Sequence, residues 1–122
     1  MTHKILIVDD EPNIVMSIEF LLKKEGFVTE TAGDGDAALE KVRSFVPDLV
    51  LLDVMMPKKS GFEVCEVLRS DTASHQPRII MLTAKGRETE QAKGLALGAD
   101  AYMLKPFSTK DLVAKIREIL AA

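Results

Sequence analysis

The run Leu49-Val50-Leu51-Leu52-Asp53 holds four apolar residues without alternation and ends on a carboxylate. A strand with one wet face alternates apolar and polar residues, whereas an unbroken run fits a strand covered on both faces, as in a parallel sheet. Ile5-Leu6-Ile7-Val8, followed by Asp9-Asp10-Glu11, and Ile79-Ile80-Met81-Leu82, followed by Thr83, have the same form. Two weaker strands are predicted. Residues 28–32 interleave Val28 and Ala32 with Thr29, Glu30 and Thr31, which suits a sheet edge, and residues 101–104 run into Lys105-Pro106.

Between these strands the apolar spacing changes to the helical period. Ile14, Ile18, Leu21 and Leu22 form one stripe, ended by Gly26, and Ala38, Val42 and Phe45 form a second, stopped by Pro47. Phe62, Cys65 and Leu68 make the third, Ala92, Leu95 and Ala96 a weaker fourth, and Leu112, Ile116, Ile119 and Leu120 the last. Ser60-x-x-Glu63 and Ser108-x-x-Asp111 read as capping boxes, and Pro12 suits a first helical position. Strand and helix thus alternate five times, and right-handed crossovers place helices on both faces of one sheet. The expected fold is α/β: a doubly wound, flavodoxin-like (βα)5 domain whose five-stranded parallel sheet has the order 2-1-3-4-5, with the polar second strand at an edge.

The chain has 122 residues, 47% apolar and 29% charged, with a formal charge of −3. That length fits one domain spanning residues 1–122, and the apolar fraction excludes disorder. A single cysteine, Cys65, allows no intrachain disulfide; between Val64 and Val67 in a helical pattern it reads as a core filler. His3 and His75 accompany no nucleophile or metal-ligand cluster. The apolar run behind the first residues is too short for a signal peptide, and no run approaches the roughly 18 residues of a membrane span. A cytoplasmic protein without membrane contact is expected. Charge is uneven along the chain, with 14 acidic and 8 basic side chains in residues 1–76 against 5 and 8 in residues 77–122. The mildly acidic balance argues against direct nucleic acid binding.

In doubly wound sheets ligands bind outside the carboxyl ends of the strands. Here those ends carry Asp9-Asp10-Glu11, Asp53, Thr83 and Lys105, all delivered to one rim. Each has an ordinary alternative: an Asp pair is a common helix cap, Asp53 a strand-ending turn, Thr83 a cap for the fourth helix, and Lys105 a surface lysine. Their joint placement carries the chemistry. Crowded carboxylates stay ionised most simply around a divalent cation, and an all-oxygen donor set favours Mg²⁺. A hydroxyl and an ammonium aimed at the same centre suit a phosphoryl group, and an aspartate can act as nucleophile to form an acyl phosphate. Gly33-x-Gly35-x-x-Ala38 matches the dinucleotide fingerprint, but it follows a polar, peripheral strand and no second nucleotide-binding half follows it. An aspartyl-phosphate phosphatase is disfavoured because Met55 stands where a second acid–base aspartate is needed.

Val8-Asp9-Asp10-Glu11, Asp53 with Val54-Met55-Met56-Pro57, Thr83-Ala84 and Lys105-Pro106-Phe107 together resemble the receiver domain of two-component response regulators. Gly61, Gly98-Ala99-Asp100 and Tyr102 fit the same likeness, which spans essentially the whole chain. The resemblance implies that Asp53 accepts a phosphoryl group from a histidine kinase or a histidine phosphotransfer protein. It implies that Asp10, Asp53 and the Met55 backbone carbonyl ligate Mg²⁺, with Asp9 acting through bound water, that Thr83 and Lys105 hold phosphoryl oxygens, and that the Lys105-Pro106 peptide is cis. Tyr102 is then the aromatic that turns inward on phosphorylation, into space left open beside Ala84, altering the face formed by the fourth helix, fifth strand and fifth helix. Such a domain is no enzyme in the ordinary sense; it catalyses its own phosphorylation and a slow dephosphorylation, since Met55 and Lys85 offer water no general base. Its output is a downstream protein or an attached output domain. A phosphorylation-dependent dimer across that face typically pairs acidic 101 with basic 115 and basic 91 with acidic 111. This chain keeps Lys115 and Asp111 but has Ala101 and Gln91, so each pair lacks a partner; a stand-alone receiver working through protein–protein contacts is favoured, with one cut from a longer regulator as the alternative.

Overall fold

In the computed structural model, residues 2–56, 58–71, 76–84 and 88–121 are described, without the side chains of residues 84, 88 and 90. Pro57, His75, Lys85 and the Ala84 side chain therefore lie outside the described residues. Five parallel strands, β1 (Lys4–Val8), β2 (Val28–Ala32), β3 (Leu49–Asp53), β4 (Arg78–Ala84) and β5 (Ala101–Lys105), form one sheet in the order β2-β1-β3-β4-β5. They alternate with α1 (Pro12–Lys24), α2 (Gly35–Phe45), α3 (Gly61–Ser70), α4 (Glu88–Ala96) and α5 (Thr109–Ala121). This is the expected flavodoxin-like topology, with β2 at an edge. No described helix is long and apolar enough to cross a membrane.

The unbroken apolar runs behave as read. Ile5, Leu6, Ile7 and Val8, and Leu49 through Leu52, are wholly buried. Successive strand residues point to opposite faces, so Leu6, Val8, Val50 and Leu52 meet α2 and α3, while Ile5, Ile7, Leu49 and Leu51 meet α1 and α5. At the helix starts Pro12 occupies the first turn of α1, Ser60 and Glu63 complete their capping box, and the Ser108 hydroxyl accepts from the Asp111 N–H at 3.0 Å. Gly26, with φ of 93°, ends α1 in a conformation that favours glycine. The α2 stop lies one residue before Pro47, at Val46 with φ of 52°. Cys65 is buried as a core residue. Its Sγ donates to the Leu97 carbonyl at 3.6 Å, and burial pushes the thiol above its ordinary range.

The fourth helix differs from expectation. Ala92, Leu95 and Ala96 face solvent, and among the described residues of α4 those buried are Gln91 and Gly94. The cause is close approach to the sheet. A side chain at Gly94 would begin 3.2 Å from Met81 Cγ, so the helix rides too near β4 for a large inward residue. The end of α4 is instead held from α3: Arg69 donates Nε to the Gly98 carbonyl at 2.8 Å, Nη1 to Pro77 O at 2.8 Å and Nη2 to Asp100 at 2.9 Å. The same Asp100 oxygen accepts from the Ile79 N–H at 2.7 Å, tying the turn after α4 to the start of β4. Arg69→Ala removes these charge-assisted bonds together, so urea unfolding should show a loss of about 2–3 kcal/mol. A loss well below about 1 kcal/mol would mean that solvent replaces them.

Candidate functional site

Parallel strands end on one side of the sheet, and that side gathers the polar groups singled out by the sequence. Asp9 follows β1 and Asp53 closes β3; Val8 and Leu52 are register partners, so the two acidic residues leave adjacent strands side by side. Thr83 lies near the end of β4, and Lys105 closes β5 opposite Ala84. Asp9, Asp53 and Thr83 are almost fully buried, at 2%, 7% and 1% exposure, while Asp10 is exposed.

One oxygen from each of Asp9, Asp10 and Asp53 lies within 4.8 Å of the others. Lys105 bridges two of them: its Nζ stands 3.0 Å from Asp9 Oδ2 and 3.1 Å from Asp53 Oδ1. The other Asp9 oxygen accepts from the Glu11 N–H at 2.9 Å. Three carboxylates thus face one ammonium. Burial raises the Asp53 carboxyl above the ordinary aspartate range, and the charges of Asp9 and, more weakly, Asp10 raise it further, against the opposing hydrogen bond and charge of Lys105. For Lys105 burial pulls downward, yet its bonds to Asp9 and Asp53 and their charges outweigh it and leave the ammonium raised.

This donor set fits a hard divalent cation: all ligand atoms are oxygen, they converge, and the negative charge exceeds what Lys105 neutralises. The Thr83 hydroxyl is buried with no hydrogen-bond partner among the described residues. Met55 sits two residues beyond Asp53 with its side chain 63% exposed. Tyr102 stands apart from the acidic cluster on β5, 38% exposed rather than in the core. The Lys105-Pro106 peptide is cis.

One contributor became intelligible only in three dimensions. Gly61, the first residue of α3, has no room for a side chain: a Cβ there would strike the carbonyl oxygen of Asp53 and lie 2.9 Å from Val54 Cα. Its N–H donates to the Val54 carbonyl at 2.9 Å. The capped start of α3 therefore rests on the backbone of Asp53 itself. In the sequence Gly61 stood out only through the family likeness and its place behind a capping serine, with no reason for the missing side chain.

A family model described as the response regulator receiver domain matches residues 5–117. The chain is 47% identical over 120 residues to the alkaline phosphatase synthesis transcriptional regulatory protein PhoP of Bacillus subtilis, covering 98% of this chain and 49% of that protein. It is 47% identical over 117 residues to the DNA-binding response regulator MtrA of Mycolicibacterium smegmatis, covering 96% and 50%. The chain thus spans about half the length of the curated relatives it matches. Among solved structures, the chemotaxis response regulator CheY4 of Vibrio cholerae superposes with a TM-score of 0.90 at 31% identity, covering 98% of this chain and 99% of that one.

The raised Asp53 carboxyl has a consequence for stability. A carboxyl held higher in the folded than in the unfolded chain opposes folding once ionised; that penalty is present above its folded pKa and vanishes as pH falls to the ordinary aspartate value. Asp53→Asn should therefore raise the Tm at neutral pH in a chelating buffer, and the gain should shrink in acid. A lower Tm for the variant at neutral pH would show that its bond with Lys105 outweighs burial and repulsion.

Proposed function

The chain belongs to the response regulator receiver domain family, and on that premise we propose that it is a phosphorylation-operated signalling switch with Asp53 as the phosphoacceptor. One observation carries the reading: of the two buried carboxylates that Lys105 bridges, Asp53 is the one that ends the strand beside β4, where the buried Thr83 hydroxyl has no partner among the described residues. The donor is a histidine kinase or histidine phosphotransfer protein. An Asp53 oxygen attacks the phosphorus of the phosphohistidine, the P–N bond breaks, and the imidazole leaves with its electron pair.

Asp10, Asp53 and the Met55 carbonyl would hold Mg²⁺, with Asp9 acting through water; the ion neutralises charge on the incoming phosphoryl oxygens. Lys105 then gives up its share of Asp53 to pair with a phosphoryl oxygen, and Thr83 bonds another. Beside the site, an apolar groove of about 520 Å³ between α1 and α5 shares Lys105 and is lined by Ile14, Ile18, Phe107 and Leu112. Together with the exposed Met16 and Phe20 of α1, it offers the donor protein apolar surface next to the acceptor.

Phosphorylation replaces the single negative charge of the Asp53 carboxylate with an acyl phosphate carrying about −1.5 to −2. The response runs through Thr83 to Tyr102 and the α4–β5–α5 face. Two features support this: Tyr102 lies outside the core, 38% exposed, and α4 buries no large apolar side chain among the described residues. For output, CheY4 is matched over nearly its whole length, whereas the DNA-binding and transcriptional relatives are about twice as long. Both a stand-alone receiver and one driving a further domain are therefore supported by relatives. The charge pattern weighs against the paired dimer: Gln91 is buried, Ala101 carries no charge, and Lys115 already pairs with Glu118 at 3.6 Å within α5.

Acetyl phosphate should label the protein only with Mg²⁺, and Asp53→Asn should abolish the label; labelling of that variant would exclude Asp53 as acceptor. The phosphorylated form should persist longer than about a minute at neutral pH, because Met55 supplies no general base for water. Tyr102→Ala should leave labelling intact and weaken phosphorylation-dependent partner binding; unchanged binding would remove Tyr102 from the switch.

A further inference from the structure

The Gly33-x-Gly35-x-x-Ala38 motif is not used by any step above, yet its two glycines are far from equivalent. Gly33 is exposed, and a Cβ there would meet nothing within 4 Å. Gly35 is the buried first residue of α2, and a Cβ there would strike Lys59 Cβ and lie 2.5 Å from the Lys59 carbonyl oxygen and 3.0 Å from its carbonyl carbon. The obstruction is backbone, so no side-chain rotation relieves it. Its φ is not among the left-handed ones, so conformational freedom does not explain the glycine. In a helix, glycine is worse than alanine by about 0.5–1 kcal/mol. A tight contact with Lys59 is the reason left.

Lys59 belongs to the loop that leaves Asp53. We propose that Gly35 is a positioning residue for the metal-facing loop: by carrying no side chain it seats Lys59 on the first turn of α2, and so sets where Met55 lies relative to Asp53. The inference rests on the Mg²⁺ site proposed above. The loop then has two fixed points, Lys59 on Gly35 and Gly61 on the Asp53 carbonyl, with Met55 between Asp53 and both. Two ion pairs flank the seat, Lys58 with Asp34 at 3.8 Å and Lys59 with Asp36 at 3.6 Å. Exposed pairs of this kind add little energy, so they guide the loop sideways while the steric contact sets its distance. Asp34 is itself fixed, accepting from the Ala37 N–H at 2.8 Å as the cap of α2. Lys58 adopts φ of 68°, a conformation that a non-glycine residue keeps only when its surroundings hold it there. Mg²⁺ demands near-ideal octahedral geometry, so a displaced loop should register as lost affinity.

The test is a Mg²⁺ titration of the full chain followed through backbone amide shifts at Asp10, Asp53 and Met55, which reads the ion without any phosphorylation. Gly35→Ala should weaken Mg²⁺ by about tenfold or more, as loss of supporting contacts around a metal does. Gly33→Ala, in open space at the same helix entry, should stay within about twofold of the parent. Lys59→Gly keeps Gly35, introduces no clash and removes the Lys59 Cβ from the contact while its carbonyl stays, so it keeps the proposal testable even if Gly35→Ala fails to fold. Removing a positive charge near an acidic cluster would by itself tighten cation binding; weaker Mg²⁺ binding by Lys59→Gly therefore reports the lost seat. Parent-like affinity in both Gly35→Ala and Lys59→Gly would overturn the proposal while leaving the site intact. A parent chain showing no saturable Mg²⁺ shifts at these amides would instead overturn the site and the proposal with it.

Discussion

The structure depends on a tension at the carboxyl ends of its buried strands. Strands β1 and β3 are covered on both faces and adjacent, so Asp9 and Asp53 emerge side by side where water is largely excluded. Two carboxylates so placed repel each other, and Lys105, reaching from the end of β5, bonds to both. That bridge does not offset everything: burial, first of all, and the neighbouring charges of Asp9 and Asp10 keep the Asp53 carboxyl raised. The negative charge left over is what a divalent ion is proposed to meet.

Close backbone contacts gather on one side of the cluster. Toward α2 and α3 the backbone is wedged: Gly61 lies on the Asp53 carbonyl, Lys59 on Gly35, and the capping box of Ser60 and Glu63 fixes the start of α3. Toward α4 and β5 the contacts differ. Gln91 is buried with no partner for its amide nitrogen among the described residues, Leu95 and Tyr102 are exposed, and Arg69 holds the turn that follows α4.

Much of this was legible in the chain. Unbroken apolar runs identified the three central strands, because a strand buried on both faces has no solvent side on which to place polar residues. The polar run at residues 28–32 marked an edge for the converse reason. The carboxylates, Thr83 and Lys105 were legible because topology delivers the end of every parallel strand to the same rim. The α4 stripe misled. Spacing finds the apolar face of a helix, but the face that turns inward is decided by how near the helix approaches the sheet, and Gly94 brings α4 close enough to Met81 to exclude larger residues.

The sequence by itself determined the element order, the sheet topology and the cast of the site, since these follow from periodicity, caps and the common direction of parallel strands. Only the tertiary structure decided that Lys105 bridges Asp9 and Asp53, that the Thr83 hydroxyl is buried with no partner among the described residues, and that Gly35 and Gly61 have backbone lying against them where a side chain would stand. Such facts join residues distant in sequence at separations of a few ångströms. Periodicity is blind to them, because it records which face a residue occupies and not what stands opposite.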